Sequence, residues 1–143
     1  MMSKVNFSSC AAMALLTISL TLTGCDSSGR TPLRGAVSFD GTPVEKGYIR
    51  FSPIEGTKGP TSGADIVDGA YQIPSKRGLM DGNYRVVIEA WKRSDKAYVD
   101  PVTGEKSPGG LQQILPARFN TKSELKKEVK AGTGSYDFDL KSE

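Results

Sequence analysis

One side chain in this sequence that could do chemistry is the thiol of Cys25, which directly follows Gly24 at the end of an apolar run. A thiolate is a good nucleophile toward alkylating groups. Glycine has no side chain, so an enzyme can approach the backbone beside it closely. The pair Gly24-Cys25 therefore suits covalent modification of the thiol.

The run that precedes this pair extends from residue 10 to residue 22 and contains no charged residue. A membrane-spanning helix needs about 20 apolar residues, whereas the apolar part of a secretion signal needs roughly 7 to 15. The run is too short to span a bilayer. The sequence therefore predicts an export signal.

The residues Leu22-Thr23-Gly24-Cys25 resemble the bacterial lipobox. The resemblance implies that residues 1–24 are a lipoprotein signal peptide, that cleavage follows Gly24, and that lipid is attached to Cys25. Because each buried CH₂ contributes about 0.8 kcal/mol, several acyl chains would hold the protein on a bacterial cell-envelope membrane, at its periplasmic or cell-surface face. The alternative is an ordinary signal peptide beside an unmodified cysteine.

The remaining chain has few groups that could perform catalysis. It contains no histidine, and Cys25 would be its only cysteine, which excludes Ser-His-Asp triads, Cys-His dyads and zinc sites built from these residues. Its basic and acidic side chains are interspersed and nearly balanced, whereas nucleic-acid binders show basic stripes. We expect no catalytic residue, metal, cofactor or nucleic-acid partner.

The elements that would position any site read as short strands, because apolar residues alternate with polar ones between glycine turns. Strands are predicted within residues 35–39, 47–51, 64–67, 70–73, 83–91 and 135–140. The clearest hairpin has Asp68-Gly69 at its turn, and Tyr84, Val86 and Ile88 share one face of a central strand. About seven strands are typical of an antiparallel sandwich. A flexible tether at residues 25–34 would precede this single domain at residues 35–143.

One segment near the end of the chain has two interpretations. Leu125 and Val129 are four residues apart, and Thr121 with Glu124 could form a helix capping box. Alternation through Leu125, Lys127 and Val129 would equally make an edge strand protected by lysine. The residues alone leave both open.

Several glycine-and-apolar motifs together resemble a known family. They are Gly35-x-Val37-x-Phe39-Asp40-Gly41, Gly47-x-Ile49-x-Phe51-x-Pro53, Asp68-Gly69-x-Tyr71, Gly82-x-Tyr84-x-Val86-x-Ile88, Leu115-Pro116-x-Arg118-Phe119-Asn120 and Tyr136-x-Phe138-x-Leu140. They look like the carboxypeptidase regulatory-like, or transthyretin-like, domains of bacterial envelope lipoproteins. The resemblance implies a seven-stranded antiparallel sandwich of the immunoglobulin-like or prealbumin-like kind, and a non-catalytic binding or scaffold module. It also favours a strand at residues 124–130.

Candidate contact residues lie in and beside the segment 93–112, which shows no convincing element. Loops of this length are often functional or disordered. Trp91, predicted to point outward, and Tyr98 could form a recognition patch for an envelope protein or a glycan, and an excursion without a partner is the alternative. Asp137 and Asp139 share a strand face, which we interpret as solvated. A carbohydrate-binding accessory domain is the second functional hypothesis.

Overall fold

The computed structural model describes residues 29–143, with Tyr98 described by its backbone alone. The predicted signal peptide at residues 1–24, the cleavage site at Gly24 and the lipidated Cys25 lie outside the described residues. Within the described range, no helix is long and apolar enough to cross a membrane.

The described chain is mostly β-structure, which confirms the all-β prediction. The strands are β1 (Leu33–Phe39), β2 (Thr42–Pro43), β3 (Lys46–Ile54), β4 (Ser62–Val67), β5 (Ala70–Ile73), β6 (Gly82–Arg93), β7 (Tyr98–Val99), β8 (Lys106–Ser107), β9 (Leu111–Gln113), β10 (Lys126–Val129) and β11 (Phe138–Leu140). Two single turns of 3₁₀ helix, Ser75–Arg77 and Ala117–Phe119, interrupt them.

Nine of these strands form one curled sheet whose main path is β10-β6-β3-β4-β5-β1-β11. β2 pairs with β1, β9 pairs with β6, and β7 and β8 form a separate hairpin. The sheet is antiparallel, as predicted, apart from β1 and β11, which run parallel. The hydrogen bonds define one curled sheet, and the seven-stranded sandwich stays a prediction.

Two hairpins close through tight Asp-Gly turns, Asp40-Gly41 between β1 and β2 and Asp68-Gly69 between β4 and β5. The aspartates have φ angles of 48° and 49°, and both glycines have 79°. Positive φ at both positions is what a two-residue turn needs to match the twist of its strands. The predicted hairpin at Asp68-Gly69 is confirmed, since Val67 pairs with Ala70 across it.

The inner face of the sheet follows the predicted alternation. Tyr84, Val86 and Ile88 on β6 are completely buried, and β6 lies between β10 and β3 as a central strand. Phe138 and Leu140 on β11 are buried as well. Alternation in the sequence therefore identified the core positions of both strands.

The ends of the sheet curl until they face each other across the core. The rings of Phe51 on β3 and Phe138 on β11 have centroids 6.3 Å apart, although three strands separate β3 from β11 along the path. From the opposite end of the path, Lys127 on β10 places its Nζ 5.6 Å from the centroid of the Phe138 ring. Of the two interpretations of residues 121–130, the strand is therefore correct for Lys126–Val129, and this strand carries Lys127.

β1 joins two parts of this sheet. Its first half pairs with β5 and its second half with β11. On the edge of β1 that continues to β11, the N–H of Arg34 donates to the O of Gly134 (2.7 Å) and the N–H of Tyr136 donates to the O of Arg34 (2.9 Å). A Cβ at Gly35 would overlap the carbonyl oxygen of Tyr136, so only glycine allows this close approach.

The folded domain begins before the predicted boundary at residue 35. Thr31 and Leu33 are buried, and Thr31 exchanges backbone hydrogen bonds of 2.7 and 2.9 Å with Leu79. Residues 31–34 therefore belong to the fold and not to the tether. The sequence did not predict the burial of Leu33, because this leucine lies in a mainly polar stretch.

We predict that Gly35→Ala destabilises the domain by about 3 kcal/mol, because the new methyl group must displace the backbone at Tyr136. The matched control is Gly110→Ala, since a Cβ at Gly110 has no atom within 4 Å and the backbone there has no positive φ. Urea denaturation of both variants measures the difference. Equal midpoints would contradict the proposed constraint.

We predict that Tyr71 makes the domain sensitive to alkali. Its hydroxyl donates to the O of Tyr136 (2.8 Å), and burial, together with the charges of Asp137 and Tyr136, raises the pKa of Tyr71 far above its ordinary value of 10.0. The unfolded chain releases this proton near pH 10 while the folded chain retains it, so the stabilisation is intact below that pH and declines as pH rises above it.

The variant Tyr71→Phe removes this proton and the hydrogen bond. We expect it to lose about 1 kcal/mol at neutral pH, and its unfolding free energy to fall less steeply above about pH 10 than that of the unmodified protein. Denaturant titrations across this range compare the slopes. Equal slopes would contradict the assignment.

Candidate functional site

Trp91 lies just past the end of the pairing between β6 and β3 and at the start of the pairing between β6 and β9. Up to Ala90, β6 pairs with β3, and from Trp91 onward it pairs with β9. Ala90 is completely buried and Trp91 is half-buried, so the indole reaches the surface as predicted. Val87 lies on the same face of β6 as Trp91 and is buried, so this outer face of the sheet is partly covered.

Gln113 on β9 holds the next segment of chain against β6. Its Oε1 accepts hydrogen bonds from the N–H of Ala90 (3.0 Å) and the N–H of Leu115 (3.1 Å). The N–H of Ile114 donates to the O of Ala90 (2.9 Å). These bonds fix the backbone on both sides of Ile114 and bring its side chain to the same surface as Trp91.

Trp91 and Ile114 face the hairpin formed by β1 and β2 across a groove of about 300 Å³. The hairpin contributes apolar atoms from Phe39, Pro43 and Val44. Charged side chains surround this apolar surface: Asp40, Glu45 and Lys92.

The hairpin side of this groove is tied to the C-terminal strand. The N–H of Asp40 donates to the O of Leu140 (2.8 Å), and the Asp40 carboxylate accepts from the N–H of Ser142 (2.8 Å). The N–H of Val44 donates to the O of Val37 (3.0 Å). The groove is therefore preformed, which reduces the entropy lost when a ligand binds.

The groove has features that can recognise a ligand. An indole face and apolar walls can cover an apolar surface of a ligand, and the carboxylates can accept hydrogen bonds from hydroxyl or amide groups. Among residues 29–143, no group of three or more acidic, histidine or cysteine side chains is arranged to hold a metal ion.

The segment 93–112 is more ordered than its sequence suggests, so the prediction that it lacks regular elements is wrong. β7 and β8 form a short hairpin, in which the Asp100 carboxylate accepts from the N–H of Val102 (2.7 Å) and the N–H of Thr103 (2.9 Å). These backbone hydrogen bonds, first that of Thr103, lower the pKa of Asp100. Tyr98 lies in this separate hairpin, whereas Trp91 belongs to the main sheet.

Asp137 and Asp139 are exposed, and both also bind β1. Asp137 accepts from the N–H of Ala36 (2.7 Å), and Asp139 accepts from the hydroxyl of Ser38 (2.9 Å). Lys141 and Ser38 donate hydrogen bonds that lower the pKa of Asp139. The carboxylates thus secure the C-terminal strand, a role that alternation could not predict.

Sequence reasoning identified Trp91 and missed the rest of the groove. Phe39, Pro43 and Ile114 are far from Trp91 in the chain and reach it only through the pairing of β6 with β9 and the curl of the sheet. The available signal was the turn at Asp40-Gly41, which places apolar residues on both sides of a tight reversal.

The fold and the groove define an all-β domain with an aromatic surface site. Comparisons with models of protein families, with curated proteins and with solved structures find no match.

Proposed function

We propose that this protein is a lipid-anchored lipoprotein of the bacterial cell envelope whose β-domain is a non-catalytic binding or scaffold module. The observation on which this depends is the preformed groove at Trp91, with apolar walls and charged side chains around it. A site with these features recognises a surface and needs no reactive group.

The anchor part of the proposal is supported by the sequence. The short apolar run, Gly24 and Cys25 precede the folded domain by only a few residues. Lipid on Cys25 would therefore hold the domain close to the membrane, exported to its periplasmic or cell-surface face.

The architecture is proposed to be the seven-stranded prealbumin-like sandwich of carboxypeptidase regulatory-like domains. Seven strands lie on the main path of the sheet. The contact between Phe51 and Phe138 brings distant strands to opposite sides of one core, as two facing layers would require.

The partner is proposed to be another envelope protein. An indole beside apolar walls and acidic and basic side chains matches the mixed composition of protein interfaces, in which tryptophan often contributes most of the affinity. Tyr98, on the neighbouring part of the chain, is proposed as a second contact.

A glycan is the alternative partner. The specific observation in its favour is that the Asp40 and Glu45 carboxylates share a groove with the Trp91 indole. An aromatic face can pack against the apolar face of a sugar ring, and carboxylates accept hydrogen bonds from its hydroxyl groups.

We predict that protein extracted from cell membranes starts at Cys25 and carries fatty acid. Intact-mass spectrometry measures both properties. Cys25→Ser should shift the protein out of the lipidated membrane form, and Ser142→Ala, which changes a distant exposed residue, is the control. An unlipidated chain in the soluble fraction of the unmodified strain would refute the anchor.

We predict that Trp91→Ala weakens partner binding by about 2 kcal/mol, a roughly thirtyfold loss, because the indole covers the groove. Leu111→Ala is the matched control, since Leu111 is a large exposed apolar residue on β9 outside the groove. Trp91 is the single tryptophan of the chain, so a change in its fluorescence also reports entry of a ligand.

Two measurements separate the partners. Retention on envelope polysaccharide that falls with Trp91→Ala supports the glycan, and unchanged retention discards it. A photoreactive residue at position 114 should cross-link an envelope protein in intact cells, and the yield should fall with Trp91→Ala. If neither signal depends on Trp91, the groove is not the binding site.

A further inference from the structure

A cluster of basic side chains surrounds the start of the described chain. Four of them line one cleft of about 260 Å³, together with Tyr48 and residues 60–63: Arg30, Arg50, Lys76 and Arg77. Arg34 extends the cluster, because it shares one adjoining cleft with Arg30 and another with Arg77. We call these five residues the basic cluster.

The fold brings these charges together through specific bonds. Arg30 donates from Nη1 to the O of Lys76 (3.0 Å), and the hydroxyl of Ser62 donates to the O of Arg77 (2.5 Å). The exchange of hydrogen bonds between Thr31 and Leu79 holds the start of the domain against the turn at Ser75–Arg77. The basic cluster is therefore built from three separate parts of the chain and is not a run in the sequence.

Within residues 29–143, no acidic side chain forms an ion pair with the cluster. No carboxylate lines the cleft, and the ion pairs found within residues 29–143 join other residues. Asp65 and Asp137 line an adjoining cleft together with Arg34 and Arg77, and Asp137 already accepts a hydrogen bond from the N–H of Ala36. The four basic side chains that line the cleft of about 260 Å³ have no carboxylate among them, so they repel one another and an external anion would lower their energy.

The position of the cluster indicates which anion. Arg30 follows Cys25 by five residues, and five extended residues span at most roughly 18 Å. A lipid on Cys25 therefore keeps Arg30 no farther than little more than two Debye lengths, of about 8 Å each at physiological salt, from the attachment point, and it lets Arg30 come closer to the membrane surface than that. Within one Debye length of the surface, anionic head groups attract basic side chains.

We propose that the basic cluster binds the phosphate groups of anionic phospholipids, so that the anchored domain rests on the membrane with this face. The proposal rests on the proposed anchor at Cys25 and adds an orientation to it. The anchor supplies residence on the membrane, and the cluster determines which side of the sheet the head groups cover.

The test uses the full lipidated protein in vesicles of phosphatidylcholine alone or of an equimolar mixture with phosphatidylglycerol. A water-soluble amine-acylating reagent modifies exposed lysines, and mass spectrometry measures the rate at each one. We expect Lys76 to react roughly fivefold more slowly on the anionic vesicles. Lys106, in β8, is the internal control and should react equally on both. High salt should remove the difference at Lys76.

The variant Arg50→Gln with Arg77→Gln should remove most of the protection of Lys76. Arg93→Gln with Lys96→Gln is the charge-matched control and should leave it intact, because these exposed residues lie outside the cluster. Circular dichroism verifies that both variants retain β-structure.

Three outcomes would overturn the proposal. Equal reactivity of Lys76 on both vesicles means that the cluster does not contact head groups. Protection by inorganic pyrophosphate on neutral vesicles, without protection by anionic lipid, assigns the cluster to a free anion. A protein that floats with neither kind of vesicle refutes the anchor and, with it, this orientation, and that failure is visible before any lysine is measured.

Discussion

The close approach of residues 134–136 to β1 is the constraint on which the rest of the domain depends. β1 lies between β5 and β11 in the sheet, and Gly35, which pairs with Tyr71 of β5, lies against the carbonyl of Tyr136 just before β11. Because glycine leaves room for the carbonyl of Tyr136, a terminal strand of only three residues can cover the rings of Phe51 and Tyr71 with Phe138. The packing of these rings thus depends on the absence of a Cβ atom at Gly35.

β1 runs between the basic cluster and the groove at Trp91, the two surfaces with proposed functions. Arg30 of the basic cluster precedes β1, whereas Phe39 of the groove ends it. Seven residues of strand separate such points by roughly 23 Å. A domain that rests on the cluster would therefore hold the groove away from the head groups, where a partner in the envelope can reach it.

Alternation and turn chemistry predicted the parts of the fold that are local. Asp68-Gly69 and the buried face of β6 follow from period and φ preference alone. The parallel pairing of β1 with β11, the burial of Thr31 and Leu33 and the curl of the sheet arise from contacts between distant segments, which no local pattern encodes. For the same reason Trp91 was identifiable as an outward aromatic residue, whereas Ile114 and Phe39 were not identifiable as its neighbours.

The position of Lys127 on β10, at the edge of the sheet, affects how copies of the domain could associate with one another. Proteins confined to one membrane reach high local concentrations, a condition in which the open border of a sheet tends to recruit a strand from another molecule. At one border, the ammonium group of Lys127 points inward over Phe138, and at the other, β11 offers only three residues. An added strand would cover a charge at one side and would gain few hydrogen bonds at the other, so both features disfavour strand-mediated association of copies that the proposed anchor would crowd together.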